Sequence, residues 1–318
     1  MRILLILTPL GLAASAAAQE LPPYVPSNPA LTSRSALYAQ PMVRPSHGWQ
    51  VRTVIDYANA VEVTKSTDRR DYVFDAETLE GDLWITRDLS PRSFVVADVA
   101  VRGGYDGFLD GFLNWYHDLI GLKVPARNAR TENRYTWAFT LPNGQSISRG
   151  RPGTFLGDVR LGAGIRFGRS QLVAAVTLPT AGADGWGRDV IGSSLALTTR
   201  LADNSRFVVE GGATAGYTPT HGPLAAFQRN TFLGGQLASR WRFSGRQALF
   251  ATLWMQSPNW KNTGFGALDD AEVTLDFGGL IKLGQHWPEI QVGMTEDLIP
   301  RGPAVDAGFK LGVRWQDR

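Results

Sequence analysis

Residues 158–167 read DVRLGAGIRF, in which Val159, Leu161, Ala163, Ile165 and Phe167 alternate with Asp158, Arg160, Gly162, Gly164 and Arg166. A period of two without a miss is a β-strand with one apolar and one polar face. The same template fits 271–283, where Ala271, Val273, Leu275, Phe277, Ile281 and Leu283 oppose Glu272, Thr274, Asp276 and Lys282. It returns at the end of the chain, with Phe309, Leu311, Val313 and Trp315 against Gly308, Lys310, Gly312 and Arg314. Near the start Trp49, Val51, Thr53, Ile55 and Tyr57 oppose Gln50, Arg52 and Asp56.

Extending the template predicts strands over 48–57, 71–88, 92–101, 156–167, 171–178, 190–201, 206–217, 228–243, 247–256, 271–283, 288–295 and 305–315. A soluble sandwich also alternates, so the connections decide. Those after even-numbered strands hold 3, 3, 4, 3 and 4 residues, and those after odd-numbered strands hold 13, 54, 11, 10, 14 and 9. Short turns alternating with long loops are the asymmetry of an outer-membrane barrel, and a sandwich has no physical reason for it. Aromatic residues stand near both ends of the strands, Trp49, Phe167, Phe243 and Trp315 at the short turns and Tyr57, Tyr217, Trp186 and Trp260 at the long loops. They fit girdles at the two membrane interfaces. The expected fold class is all-β, a transmembrane antiparallel β-barrel of about twelve strands, with a short amphipathic helix in a long extracellular loop.

Composition narrows the function. The 318 residues are 43% hydrophobic and 19% charged, with 35 Gly and no Cys. Without cysteine there is neither a disulfide scaffold nor a thiolate metal site. A net charge of +3 gives no concentrated basic face, so no nucleic-acid partner is expected. Met1-Arg2, an apolar run from Ile3 to Leu12 and Ala16-Ala17-Ala18 read as a cleaved secretory signal peptide over 1–18. No later window is long and apolar enough for a spanning helix. The expected organisation is a signal peptide (1–18), a Pro-rich segment (19–47) and a barrel (48–318), with cleavage delivering the chain to the cell outer membrane. Six of the 18 prolines fall within 19–47, which disfavours a regular ladder and leaves two readings, a periplasmic tail or a segment tucked into the bore.

On the polar faces Arg52, Arg160, Arg166, Arg206, Arg240, Arg242, Lys282, Lys310 and Arg314 stand against Asp56, Asp158, Glu210, Glu272, Asp276 and Glu289. Such a lumen either pairs internally, since buried charge needs a partner, or conducts with a weak anion preference. Gly162, Gly164, Gly234 and Gly278 leave room beside these groups.

The longest connection, 102–155, exceeds what a plain loop needs. In RGGYDGFLDGFLNWYHDLIGL, Phe108, Phe112, Trp115 and Leu119 fall on one helical stripe, with Asp110, Asn114, His117 and Asp118 elsewhere. The stripe needs burial as a lid in the mouth, in the lipid interface or against a partner, and Phe108, Asp110, Phe112, Trp115, His117 and Leu119 are candidate ligand contacts. Asp106, Asp110, His117 and Asp118 match no calcium-loop spacing, so no metal is expected. Arg127, Arg130, Arg134, Arg149 and Arg151 make the rest of the loop basic, a solvated surface or a contact for lipopolysaccharide phosphates. The four His, at 47, 117, 221 and 286, stand in no catalytic motif. No catalytic residue and no cofactor are expected, and the chain reads as a non-enzyme.

GGYDGFLDGF with HDLIGL, then FLGDVRLGAGIRF, VTLPTAGADG and TEDLIPRGPAVDAGFKLGVRW, preceded by PSHGWQVRTVIDYAN, resemble in order the blocks of a Gram-negative outer-membrane family classified as a domain of unknown function. In place of a Gly-rich stretch after Gly121-Leu122 this chain carries Lys123-Val124-Pro125-Ala126-Arg127. The resemblance implies a barrel in the outer membrane and supplies no activity. Outer-membrane lipid, lipopolysaccharide and the outer-membrane assembly machinery are the expected partners, the last because the alternation up to Trp315 looks like a terminal barrel strand. The functional expectation is a small or gated pore for an unidentified solute. The alternatives are a non-transporting barrel whose outer loop binds lipopolysaccharide or a partner, and a carrier of apolar molecules.

Overall fold

A computed structural model describes residues 20–26, 28–32, 40–43, 45, 48–121, 131–284, 287–298, 302–303 and 305–316. Its strands are β1 (Trp49–Lys65), β2 (Asp71–Asp88), β3 (Ser93–Tyr105), β4 (Thr136–Thr140), β5 (Ser146–Arg149), β6 (Gly153–Phe167) and β7 (Ser170–Leu178). They continue with β8 (Gly192–Asp203), β9 (Phe207–Tyr217), β10 (Thr231–Arg242), β11 (Gln247–Gln256), β12 (Glu272–Lys282), β13 (Glu289–Asp297) and β14 (Ala307–Gln316). Helices are short, α1 (Pro29–Thr32), α2 (Asp110–Ile120) and α3 (Gly266–Asp269). No helix among the described residues is long and apolar enough to cross a membrane.

All fourteen strands join one antiparallel sheet. The β4–β5 hairpin is added to the outer end of β2, where Tyr72 pairs with Phe139 and Asp75 with Thr136. The other twelve close on themselves: β1 pairs with β14 from Gln50↔Gln316 to Asn59↔Ala307 and with β2 along its whole length. Closure removes the unpaired edges that a membrane does not tolerate.

The outer wall is an apolar band. Ile55, Leu161, Ile165, Leu195, Leu237, Leu249, Val292 and Leu311 are all exposed, while their chain neighbours Val54, Asp56, Arg160, Ala196, Ala238, Ala248, Gln291 and Lys310 are buried inside. Trp49, Phe167, Trp241, Phe243 and Trp315 are exposed around the short-turn end, as an interface girdle requires. At the other end Tyr217 is exposed, but Trp186 and Trp260 are 1% and 4% exposed and belong to a core over the mouth instead of a girdle.

Two elements depart from the sequence reading. β1 runs eight residues past Tyr57, because Asn59 breaks the alternation with a polar group on the outer face and Ala58 and Ala60 carry little signal. The β4–β5 hairpin is too short for its period to stand out, although Trp137 and Phe139 alternate with Thr136, Ala138 and Thr140.

Candidate functional site: a filled bore

Residues 20–26, 28–32 and 40–43 lie inside the barrel. Glu20 lies in the short-turn half, the chain rises past Tyr24 to α1 beneath the long loops, and residues 40–43 lie again near the short turns before β1 begins. On the way up, Arg240 donates to the Glu20 carbonyl at 2.8 Å, and Leu21 packs on Val208 and Ala238. Tyr24 stacks on Trp254 with centroids 4.9 Å apart, and its hydroxyl donates to Glu272 at 3.3 Å and accepts from Thr274 at 2.9 Å. Asn28 donates to Glu62 at 3.2 Å, and Asn259 donates to the Ala30 carbonyl at 2.9 Å.

On the way down, the Gln40 carbonyl accepts from Thr198 at 2.6 Å and the Pro41 carbonyl from Gln171 at 2.9 Å. Met42 N–H donates to Glu210 at 3.0 Å, Val43 N–H to Gln171 at 2.8 Å, and Arg166 donates to the Val43 carbonyl at 2.6 Å. A Pro-rich chain has no strand partner, so side chains of the wall satisfy its backbone groups one at a time.

The wall pairs its charges in separate groups. Arg52 and Arg314 lie opposite each other in the β1–β14 register, and the Glu20 carboxylate lies between them, 2.9 Å from one and 2.8 Å from the other. Arg314 and Arg240 also reach Glu289, at 3.4 and 2.6 Å. Lys310 lies 2.6 Å from Asp276 and 3.5 Å from Asp56. Arg102 pairs with Glu80 at 2.7 Å, and Arg160 pairs with Asp98 and lies 3.5 Å from Asp82. Arg200 pairs with Glu210 at 2.6 Å and Arg166 with Asp88 at 2.5 Å, the latter guanidinium stacked on Phe94.

Of the residues picked out from the sequence, Arg52, Asp56, Arg160, Arg166, Glu210, Arg240, Glu272, Asp276, Lys310 and Arg314 therefore converge inside the barrel. Asp158 is buried too, but its partners are the N–H groups of Thr180 and Ala181 in the loop after β7. Arg206 is exposed in the β8–β9 turn, Arg242 donates to the Ser205 carbonyl at that rim, and Lys282 ends β12. Sequence reading missed Glu20, Glu80, Asp82, Asp98, Arg102 and Arg200. For β2 a signal existed: Glu80 and Asp82 alternate with Leu79, Gly81 and Leu83. The interior glycines do not open a lumen. A Cβ on Gly164 would fall 2.2 Å from Phe94, and one on Gly234 2.8 Å from Trp254, so aromatic rings occupy the room they leave.

Over the mouth the long loops fold inward on one apolar core that contains Tyr72, Phe74, Trp137, Phe139, Trp186, Phe227, Trp260, Phe265 and Leu268. Arg70 ties it together: paired with Asp68 at 2.7 Å, it donates to the carbonyls of Thr140 at 2.7 Å and Thr263 at 2.9 Å and covers the Phe265 ring. Side-chain bonds to Arg70 and Ser66 hold the Asp68 carboxyl down at about 2.

The α2 helix is not this lid. Tyr57 stacks on Phe108 at 5.4 Å and Phe112 meets Phe309 edge-on at 6.0 Å, and both barrel residues face outward. The helix thus lies on the outer wall beside β1 and β14, where Leu109 and Leu113 bury against Ala307. Phe108, Trp115 and Leu119 are 70%, 58% and 68% exposed, pointing away from the protein. Outward-facing Glu77 accepts from the N–H groups of Phe108, at 2.7 Å, and Leu109, just where the helix begins, and Gly107 has φ 84° above it. A carboxylate suits a helix N-terminus. Asn59 donates to Asp110 at 2.9 Å, which explains the polar residue that interrupts the outer face of β1.

His117 is buried on the covered side of the helix. Asp106 instead takes the Tyr135 N–H and Arg151, and among the described residues no three His, Asp or Glu gather as a metal site. Arg149 pairs with Asp184, Arg134 is exposed, and Arg127, Arg130, His47 and His286 lie outside the described residues.

A family model described as protein of unknown function, DUF3187, matches residues 24–316. The chain belongs to the DUF3187 family. The match includes the part of this DUF3187 chain that threads the bore from Tyr24 onward as well as the barrel itself. No curated protein matches the sequence. Among solved structures, the COG4313 outer membrane channel from Pseudomonas putida F1 is similar with a TM-score of 0.52 at 14% identity, over 86% of this chain and 99% of that one. The P. putida toluene transporter TodX gives 0.43 at 8% identity, over 86% and 91%, and a Pseudomonas aeruginosa FadL homologue 0.43 at 10%, over 94% and 100%. At such identities the likeness is one of fold, and the fold of this DUF3187 protein is that of an outer-membrane β-barrel.

Proposed function

We propose that this barrel is a gated pore for a small solute, with the bore-filling residues 20–26, 28–32 and 40–43 as the gate and the loop core over the mouth as a second closure. The observation that carries the reading is the way the bore is filled. The filling segment belongs to no strand, is joined to the wall at one end through β1, and is held by individual ion pairs and hydrogen bonds. Such a segment can leave without breaking a single ladder bond of the barrel. Its departure takes the Glu20 carboxylate away from Arg52 and Arg314 and leaves Glu289 as the acid facing Arg52, Arg240 and Arg314 at that level, so the open bore carries excess positive charge and favours anions. Nothing in this scheme calls for a catalytic residue or a cofactor.

The division at 1–18 and 19–47 fits this reading, since cleavage after Ala18 would leave Gln19, next to Glu20, as the new terminus. The outward stripe of α2 supports an outer-membrane lipid contact and argues against its use as a carrier surface, because it does not face the bore. Arg149 and Arg151 already have carboxylate partners, which weighs against lipopolysaccharide binding at those two positions. β14, with outward-facing Trp315 as its last aromatic residue, serves as the strand that the assembly machinery receives.

The test is conductance in a planar bilayer. The chain from residue 19 should show low, intermittent current, and the same chain lacking residues 20–43 should conduct steadily while keeping its heat-modifiable gel mobility. A folded but silent deletion variant contradicts the proposal.

A further inference from the structure

Beside the loop core lies a cavity of about 230 Å³ that opens toward the long-loop surface. Its apolar walls are Trp137, Phe139, Leu224 and Trp260, and its polar lining includes Arg149 and Arg188. An apolar cavity of ~150 Å³ is enough to take benzene. The volume here therefore fits one substituted ring.

Three donors along this lining are incompletely answered among the described residues. Arg188 is 4% exposed, and among the described residues its guanidinium donates to the carbonyls of Arg229 at 3.1 Å and Asn259 at 3.2 Å and pairs with no carboxylate. Burial alone pushes it down to about 10. The indole N–H groups of Trp137 and Trp260, both buried, have no hydrogen-bond partner among the described residues. Asp184 and Asp189 also line the cavity but do not answer them: Asp184 pairs with Arg149, and Asp189 is exposed. A buried guanidinium without a counter-charge, next to orphaned donors and aromatic walls, is unfavourable when empty and complementary to a flat apolar body that carries a negative acceptor.

We infer that this cavity binds a monocyclic aromatic carboxylate or an anion of the same shape, held by Arg188 and the Trp137 and Trp260 N–H groups. The inference names a solute class for the pore and rests on the pore reading only for what the bound molecule does next. At the mouth, such a site would collect the solute above a bore whose freed charges are cationic.

The experiment is calorimetric titration of the chain from residue 19, refolded in detergent micelles, with benzoate and with benzyl alcohol against blank micelles. Saturable benzoate binding is expected, with benzyl alcohol at least tenfold weaker. Arg188→Gln should weaken benzoate at least tenfold. Trp137→Phe with Trp260→Phe, which keeps the walls and removes the N–H groups, should weaken it severalfold and decides the matter where Arg188→Gln does not fold. No saturable heat, equal affinity for the two probes, or an unchanged affinity in the folded variants overturns the site. Binding needs no conduction. A silent channel that binds benzoate overturns the pore reading alone, and a conducting channel that ignores benzoate overturns this inference alone.

Discussion

Arg52 and Arg314 stand directly opposite each other across the β1–β14 seam that closes the barrel, two like charges at one level of the bore. Directly opposed like charges destabilise a sheet. Here the fully buried Glu20 carboxylate lies within 3 Å of both, so the segment that fills the bore also neutralises the seam. The bore-filling segment and the barrel seam are electrostatically one unit.

Glu20→Ala should therefore cost more than a lost surface ion pair. Removing one partner of a buried pair costs about 3–5 kcal/mol, because the charges left behind remain unpaired. The expected readouts are a lower unfolding temperature and faster proteolysis within 20–43. Adding Arg314→Gln to that variant should recover part of the loss, since it removes one of the two stranded charges. A Glu20→Ala protein as stable and as protease-resistant as the parent would contradict the account.

Selectivity follows from the same groups. With 20–43 deleted, reversal potentials in a salt gradient should report anion preference, and the combined change of Arg52, Arg240 and Arg314 to Gln should abolish or invert it. Deletion of Arg206 or Arg242 charge at the turn rim should move the potential far less, because these side chains stand outside the bore.

The outer helix yields a different expectation. Loss of residues 106–121 should leave conductance unchanged, since α2 covers the wall and not the mouth. Brominated lipid should quench a variant in which Trp115 is the sole tryptophan retained near the loop. Glu77→Ala, which strips the acceptor from two N–H groups at the start of the helix, should destabilise the docked loop by about 1–3 kcal/mol, visible as faster amide exchange there.

Much of this was legible in the chain. Alternation and connection length gave all twelve barrel strands, because lipid on one side and a polar bore on the other impose a strict period of two. Alternation was lost where neither condition holds. Asn59 and Glu77 face outward but lie beneath α2, and Trp186 and Trp260 sit in loops whose burial depends on five separate connections meeting over the mouth. The stripe of α2 was readable and its direction was not, since a helical period fixes which residues share a face and says nothing of what that face meets. The bore-filling segment was left between two readings: Pro density disfavours a strand but cannot tell a tail from a plug. Glu20 becomes meaningful only when Arg52 and Arg314, 262 residues apart, are brought opposite each other.

The loop core should resist acid. Asp68 is held down at about 2, so its pairing with Arg70 is present above the usual carboxylate range and is lost only as pH falls through about 2. Carboxyl carbon shifts should place its midpoint there, and Arg70 contacts to Thr140 and Thr263 should persist from pH 7 to pH 3. Phe265→Ala, by contrast, should open the core at neutral pH, at about 3–5 kcal/mol for a fully buried aromatic ring.

The central claim is that residues 20–43 are a removable closure. It is tested most directly by placing one cysteine in the segment, at Tyr24, and one in the wall beside it, at Trp254, in this cysteine-free chain, joining them with a bis-maleimide linker that carries an internal disulfide, and recording single-channel current before and after reduction. The account predicts a channel that stays shut while the disulfide holds and opens intermittently once it is reduced. Identical current in the two states would contradict it.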